Sequence, residues 1–165
     1  MKRLWVVWVG VVLAVLFFSV LSGGAAFAGT TSAAIHSSER WQLVSDDYGK
    51  DIYIPQGQRV WVSPHGSWYN GNKANLWVGP EGYTASQSKG FMPYCKYPAT
   101  TNLPFGRLIA LTSVSNNNPR IWDAGYARYI NGPGWLYFRM NERDGSCLEN
   151  NSGYMDVDVS AGFIK

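Results

Sequence analysis

Short apolar or alternating runs, separated by turn-forming residues, recur along residues 41–165 of this 165-residue chain. The runs are Trp41–Val44, Ile52–Ile54, Arg59–Ser63, Leu76–Val78, Arg107–Val114, Ala127–Ile130, Trp135–Met140 and Tyr154–Val159. Turn signals rich in Gly, Pro and Asn lie between them, and no segment keeps a helical period for three turns. Short β-branched and aromatic runs bounded in this way indicate strands. The sequence therefore predicts an all-β domain, a single β-sandwich.

The last two runs alternate between residues of opposite character. Met155, Val157 and Val159 fall on one face of the final run, and polar residues fall on the other. A period of two is typical of a strand with one buried and one wet face. The segment 141–153 is therefore predicted to join two strands at one end of the sandwich.

The first residues have the layout of a secretory signal peptide. Lys2 and Arg3 precede the apolar run Leu4–Leu21, and Ala26-Phe27-Ala28 supplies small residues at a cleavage site. An uncleaved membrane anchor is the alternative, because an apolar run of about this length can span a bilayer. We predict cleavage after Ala28, which divides the chain into a signal peptide (1–28), a linker (29–40) and the sandwich domain (41–165).

Cleavage also bears on partners and compartment. It removes Lys2 and Arg3, so the formal net charge falls from +3 to +1 and no basic stripe remains for nucleic acid. We expect a secreted, periplasmic or cell-surface protein without stable membrane insertion after cleavage. Cys95 and Cys147 form an even pair for an oxidising compartment, which favours one disulfide.

The sequence contains few residues of the types that commonly act in catalysis. Beyond the leader it holds only His36, in the predicted linker, and His65, which is expected to be an ordinary turn residue. A hydrolase with Glu142 and Glu149 as its two carboxylates is conceivable, but the amides around them have no role in acid–base work. The chain is predicted not to be an enzyme.

The loop 141–153 suits a hard cation better. Calcium takes six to eight oxygens from carboxylates, amides and backbone carbonyls. Glu142, Asp144, Asn150 and Asn151 offer side-chain oxygens, and the turn at Ser146 offers a carbonyl. The alternative is an ordinary polar turn, because Asn, Asp and Gly favour turns for conformational reasons alone.

Four motifs occur in a fixed order along the chain. They are Ile52-Tyr53-Ile54-Pro55-Gln56-Gly57, Gly66-Ser67-Trp68, Trp77-Val78-Gly79-Pro80-Glu81-Gly82, and Asn141-Glu142 followed by Asn150-Asn151-Ser152-Gly153. In this order they resemble the small calcium-dependent, galactose-binding lectins of bacteria. The resemblance implies a jelly-roll sandwich similar to galactose-binding domains, with a carbohydrate or glycoconjugate as partner and homo-oligomers possible.

Carried over to this chain, the resemblance implies a set of calcium ligands. Side-chain oxygens would come from Glu142, Asn150 and Asn151, and backbone carbonyls from Ser146 and from Tyr69 or Asn70. Neighbouring sugar hydroxyls would then bind the calcium directly, with hydrogen bonds to Glu142 and Asn150. Charge-assisted bonds of this kind fix a sugar's orientation.

This chain also departs from the family. Glu142 stands where the lectins have Asp, and Asp144 is an alternative acidic ligand because the loop is about one residue longer. The positions of the His and Gln that contact the sugar fall on Ser86 and Lys89. The resemblance therefore predicts calcium and leaves the sugar unnamed.

Aromatic residues divide between core and site in this prediction. Trp61, Trp135 and Phe138 are expected in the core, since a small sandwich is filled by large side chains. Three further rings in predicted rim loops are candidates for stacking on a sugar: Trp68, Tyr69 and Tyr83.

Two functions follow as expectations. The first is an exported lectin-like protein that recognises sugar hydroxyls through bound calcium. The second is a non-catalytic structural or adhesion domain on the same sandwich, with a degenerate metal site.

Overall fold

The computed structural model describes residues 29–71, 76–89, 93–115 and 119–162. The predicted signal peptide lies outside these residues. No helix of the described part is long and apolar enough to cross a bilayer.

Nine β-strands form two antiparallel sheets in the described ranges. The strands are β1 (Thr30–His36), β2 (Gln42–Leu43), β3 (Tyr53–Ile54), β4 (Arg59–Tyr69), β5 (Leu108–Ser113), β6 (Arg120–Asp123), β7 (Arg128–Asn131), β8 (Gly134–Met140) and β9 (Ser152–Gly162). The first sheet has the order β1-β9-β4-β7. The second has the order β2-β8-β5-β6, and β3 also pairs with β8. Two 3-10 helices, Pro93–Cys95 and Pro98–Thr100, precede β5. The predicted β-sandwich is thus confirmed as two antiparallel sheets.

The core lies between the two sheets. Its inward residues include Val60, Val62, Met155, Val157 and Val159 from the first sheet and Leu108, Ala110, Leu136, Phe138 and Met140 from the second. The predicted alternation of β9 is confirmed, and so is the burial of Phe138.

Trp61 and Trp135 do not lie in the core, and their prediction was wrong. They are 36% and 38% exposed, because alternation turns them to the outer faces of their strands. Trp61 packs against Tyr129, and Trp135 packs against Tyr53.

The predicted linker 29–40 contains strand β1, so that boundary was wrong. β1 pairs with β9 from Thr30 opposite Ser160 to His36 opposite Tyr154. Its inward positions are Thr31, Ala33 and Ile35, of which only Ile35 is strongly apolar. Pairing with β9 supplies what the sequence pattern lacks, because strand formation depends on tertiary context.

The predicted turn at His65 is part of β4. This strand continues past Pro64 to Tyr69 and stays in register with β9, with His65 opposite Asp156. Among the described residues β7 pairs only with Arg59–Val62, so Pro64 lies where that side of β4 has no neighbouring strand. Proline is tolerated at such an edge because it has no N–H to donate. The longer β4 brings its last residues next to the start of β9.

Candidate functional site

The loop between β8 and β9 crosses from the second sheet to the first at the end where β4 stops. Tyr69, the last residue of β4, is opposite Ser152, the first residue of β9. The predicted disulfide between Cys95 and Cys147 is present and ties the loop to a 3-10 helix. Arg143 N also donates to Cys95 O at 2.6 Å. The loop is therefore held at both sheets and at its middle.

Glu142 lies at this end of the sandwich with an exposed fraction of 0%, and its carboxylate binds side chains from two separate segments. Its Oε1 accepts a hydrogen bond from Asn70 Nδ2 at 2.7 Å, and its Oε2 accepts one from Asn151 Nδ2 at 3.2 Å. Burial raises the pKa of Glu142 to about 7, although the two amide bonds and the Arg139 charge act in the opposite direction. The ionised carboxylate is thus under-compensated by its protein neighbours.

Asn151 carries an unsatisfied oxygen beside Glu142. Its Nδ2 lies 3.4 Å from Ser37 O and 3.2 Å from Met140 Sδ, besides the bond to Glu142. Its Oδ1 is buried and has no hydrogen-bond partner among the described residues. Buried acceptors are nearly always paired, so this oxygen calls for a specific explanation. Glu142 and Asn151 together present acceptors that suit a cation.

The two backbone segments of the site meet where Gly71 approaches Asn150. Asn70 follows β4, and Asn150 precedes Asn151. A Cβ built on Gly71 would lie 2.1 Å from Asn150 O, so only glycine leaves room for this carbonyl. The structure therefore brings Asn70, Glu142 and Asn151 together through their side chains, and the exposed Asn150 joins them through its backbone.

Gly71→Ala is expected to force these two segments apart. The added Cβ meets backbone rather than a movable side chain, so we expect a loss of about 1–3 kcal/mol in unfolding free energy. Urea denaturation measures the loss. Gly145→Ala is the control, because a Cβ there meets nothing within 4 Å and only its φ of +86° is strained. If the Gly71 variant is as stable as the parent protein, the close contact is not tight in solution.

Two further predicted metal ligands, Asp144 and Ser146, lie on the loop surface. Ser146 is exposed, and its predicted role as a ligand through the backbone carbonyl stays a prediction. Asp144 Oδ1 lies 2.8 Å from Arg139 Nη1, and its Oδ2 lies 3.8 Å from Arg40 Nε. Asp144 is thus the partner of arginines, and the buried acidic position belongs to Glu142.

Two predicted stacking residues are buried, which contradicts their assignment to a sugar. Trp68 is fully buried, and its Nε1 donates to Gly106 O at 2.6 Å. Tyr83 is also buried; its hydroxyl accepts from Asn70 N at 2.6 Å and donates to Leu76 O at 3.0 Å. Burial raises the pKa of Tyr83, and the nearby Glu142 carboxylate acts in the same direction. Both rings belong to the core next to the site, and the Tyr83 hydroxyl binds the backbone of Asn70.

Ser86 and Lys89 belong to an exposed turn. Ser86 Oγ lies 3.1 Å from Thr84 Oγ1, and Lys89 N donates to Ser86 O at 3.4 Å. Their predicted contact with a sugar stays a prediction.

Arg139 is a residue of this site that sequence reasoning missed. It lies between the inward residues Phe138 and Met140, so alternation along β8 predicts an outward side chain. The Arg139 side chain is nevertheless fully buried. Its guanidinium lies 5.4 Å from the ring centre of Trp41 and 4.8 Å from that of Tyr97. It donates to the backbone oxygens of Met140 and Glu142, and burial lowers its pKa. No spacing signal links it to Trp41 and Tyr97, which come from distant segments.

The described residues contain no group of three or more His, Cys, Asp or Glu side chains that could hold a metal. A cation here would instead rely on one carboxylate with amide and backbone oxygens, a donor set that calcium accepts and softer metals do not favour. Glu142 and Asn151 fit such a role through the under-compensated carboxylate and the unpartnered Oδ1.

Comparisons with known proteins give a structural match but no sequence match. No protein-family model and no curated protein sequence matches the chain. Among solved structures, it is similar to one described as the EclA N-terminal domain, a PllA-like lectin. The TM-score is 0.50 at 16% identity, over 80% of this chain and 96% of that chain. At this identity the likeness establishes the fold, and it agrees at that level with the resemblance found in the sequence.

Proposed function

We propose that this protein binds carbohydrate through a calcium ion held at the β8–β9 loop. The observation that carries the proposal is the unpartnered, buried Oδ1 of Asn151 beside the fully buried carboxylate of Glu142. A buried acceptor without a donor, next to a buried carboxylate, is costly in a protein without a cation.

The electrostatics support a divalent cation at this point. Arg139 is a buried positive charge that acts on Glu142, but it donates to the backbone oxygen of Glu142 and pairs with Asp144. Burial raises the pKa of Glu142, and the two amide hydrogen bonds and the Arg139 charge do not offset that effect. Calcium would supply that charge and prefers oxygen donors.

The proposed ligand set combines three side chains with backbone carbonyls. Glu142, Asn150 and Asn151 would contribute side-chain oxygens, with carbonyls from Ser146 and from Tyr69 or Asn70. Calcium, when bound, supplies coordination positions that can exchange water for sugar hydroxyls. The chain's own part is to fix the donors: Arg139 anchors the Glu142 backbone, Asn70 orients its carboxylate, and Cys147 ties the loop.

Carbohydrate as the ligand rests on the motif resemblance and on the shared fold of a protein described as a lectin. Export rests on the leader-like segment 1–28 and is consistent with the Cys95–Cys147 disulfide.

A structural or adhesion domain with a degenerate metal site is the second candidate. Both oxygens of Glu142 already accept amide hydrogen bonds, and a pKa of about 7 keeps much of the group protonated at neutral pH. In this alternative the cluster is a buried polar network that needs no ion.

Thermal unfolding with calcium, with chelator and with a panel of methyl pyranosides separates the two candidates. Calcium at about 100 times its Kd should stabilise the native state by about 2.7 kcal/mol, which raises Tm by roughly 10 °C for a domain of this size. A pyranoside that binds should raise Tm further, and only while calcium is present. Magnesium is the control ion, because it demands a stricter octahedral shell. If neither calcium nor any pyranoside raises Tm, the lectin proposal is wrong.

A further inference from the structure

An aromatic pair lies beside the candidate calcium site and consists of the exposed Trp77 and the half-buried Tyr69. We infer that Trp77 is the residue on which a bound sugar stacks its apolar face, an inference that rests on the proposed carbohydrate function. The sequence singled out Trp68, Tyr69 and Tyr83 for this role. The structure buries Trp68 and Tyr83, and leaves Trp77 49% exposed.

The position of Trp77 is set by contacts with both segments of the site. Val78 forms a β-bridge with Trp68, which fixes the backbone next to Trp77. A Cβ built on Gly153 would lie 2.6 Å from Trp77 Cζ3, so the ring lies against the glycine backbone. Gly153 is two residues from Asn151, one of the proposed ligands.

Tyr69 supports the ring from the other strand. The two ring centres are 4.8 Å apart with planes at 69°, an edge-to-face arrangement. Tyr69 immediately precedes Asn70, whose side chain bonds Glu142. The pair therefore adjoins both segments that carry the proposed ligands, Asn70 on one and Asn151 on the other.

An aromatic platform next to a cation fits the chemistry of a pyranose. One side of the ring presents C–H groups, while the hydroxyls on its edge are free to reach an ion. Trp offers a large apolar face at little cost in side-chain entropy, as in many recognition surfaces. Because Gly153, Tyr69 and Val78 hold Trp77 in place, little ordering remains to be done when a ligand binds.

Trp61 and Tyr129 form a matched pair elsewhere on the same sheet. Their ring centres are also 4.8 Å apart, with planes at 67°. Trp61 and Tyr69 lie on the same strand β4, eight residues apart. At about 3.3 Å per residue the two pairs are roughly 26 Å apart. The Trp61 pair has a similar ring geometry but is too far from Glu142 to contact a sugar bound at the proposed calcium site, so it serves as the control.

The test compares Trp77→Ala with Trp61→Ala. Calorimetry first measures calcium affinity without sugar, and then the affinity for methyl pyranosides of galactose, mannose, glucose and fucose in saturating calcium. For Trp77→Ala we expect a calcium Kd within about twofold of the parent protein and a pyranoside Kd about tenfold weaker, the equivalent of one lost aromatic contact. For Trp61→Ala both should stay unchanged. Trp77→Leu, which still covers Gly153 but has no aromatic face, replaces the alanine variant if circular dichroism shows that it does not fold.

Each outcome supports or overturns the inference. If the parent protein binds a pyranoside and the Trp77 variants bind it equally well, the stacking role is wrong while the calcium proposal stands. If Trp77 variants lose a pyranoside that binds equally well in chelator, the stacking role holds and calcium dependence is wrong. If the parent protein binds calcium but none of the pyranosides, the stacking role is overturned together with the carbohydrate function.

Discussion

Glu142→Gln is expected to abolish the rise in Tm that calcium causes. The substitution keeps the shape of the side chain and removes its charge, which is the main attraction for a divalent ion in the proposed ligand set. Glu149→Gln is the matched control, because Glu149 is an exposed carboxylate on the same loop. Calorimetric titration with calcium should show heat of binding for the parent protein and for Glu149→Gln only. Calcium binding that survives in Glu142→Gln would place the ion at another site.

The same variant isolates a pH dependence in chelator. Burial raises the pKa of Glu142 from its ordinary 4.5 to about 7, so the native state holds a proton that the unfolded chain releases. The resulting stability is fully present below about pH 4.5 and is lost as pH rises through about 7, a total of about 3 kcal/mol. Chemical denaturation across this range should show the loss in the parent protein and not in Glu142→Gln. Other titrating groups are common to both proteins and cancel in the difference. Parallel curves would mean that the Glu142 carboxyl is solvated like an exposed one.

The alternation of β8 and β9 made the end of the sandwich predictable from the sequence. Inward residues such as Phe138 and Val157 fixed the register of each strand relative to the core, and that register placed the 141–151 loop between the sheets. Glu142 and Asn151, at the two ends of that loop, therefore lie at the same end of the sandwich, where a hydrogen bond joins them. Local pattern was sufficient here because one face of each strand is buried.

The partners of Glu142 were harder to predict, because they depend on long-range register. Asn70 was expected to offer a backbone carbonyl, yet its side chain binds Glu142. This contact exists because β4 continues past Pro64, where the sequence indicated a turn around His65. From sequence alone a proline indicates the end of a strand. It is compatible with a strand only where one side of that strand has no neighbour, and the sequence does not show where this occurs.

The exposure of the aromatic rings could not be predicted from the sequence either. Trp68 and Trp77 occur in similar Gly-rich surroundings, but one is fully buried and the other is half exposed. The difference comes from the bridge between Trp68 and Val78, which turns neighbouring residues to opposite faces. A single isolated bridge leaves no periodic pattern that would reveal it.

Replacing both half-cystines, Cys95→Ala with Cys147→Ala, is expected to have the largest effect on stability. The disulfide joins residues 52 positions apart. Cross-linking a loop of that length restricts the unfolded chain by about 4 kcal/mol in the chain-entropy description. Both sulfurs lie among buried residues, so alanine is a better replacement than serine, which would add an unpaired hydroxyl. Urea denaturation of the parent protein, the parent protein with reductant, and the double variant measures the effect.

The location of the bridge adds a second expectation for the double variant. Cys147 lies in the middle of the β8–β9 loop, and Cys95 O accepts a hydrogen bond from Arg143 N. Without the bridge, more of the loop must become ordered when calcium binds, so calcium affinity should fall along with stability. The double variant in saturating calcium should therefore stay less stable than the parent protein. Stability equal to that of the parent protein, or two free thiols titrated in the unfolded and unreduced parent protein, would contradict a structural role for this bridge.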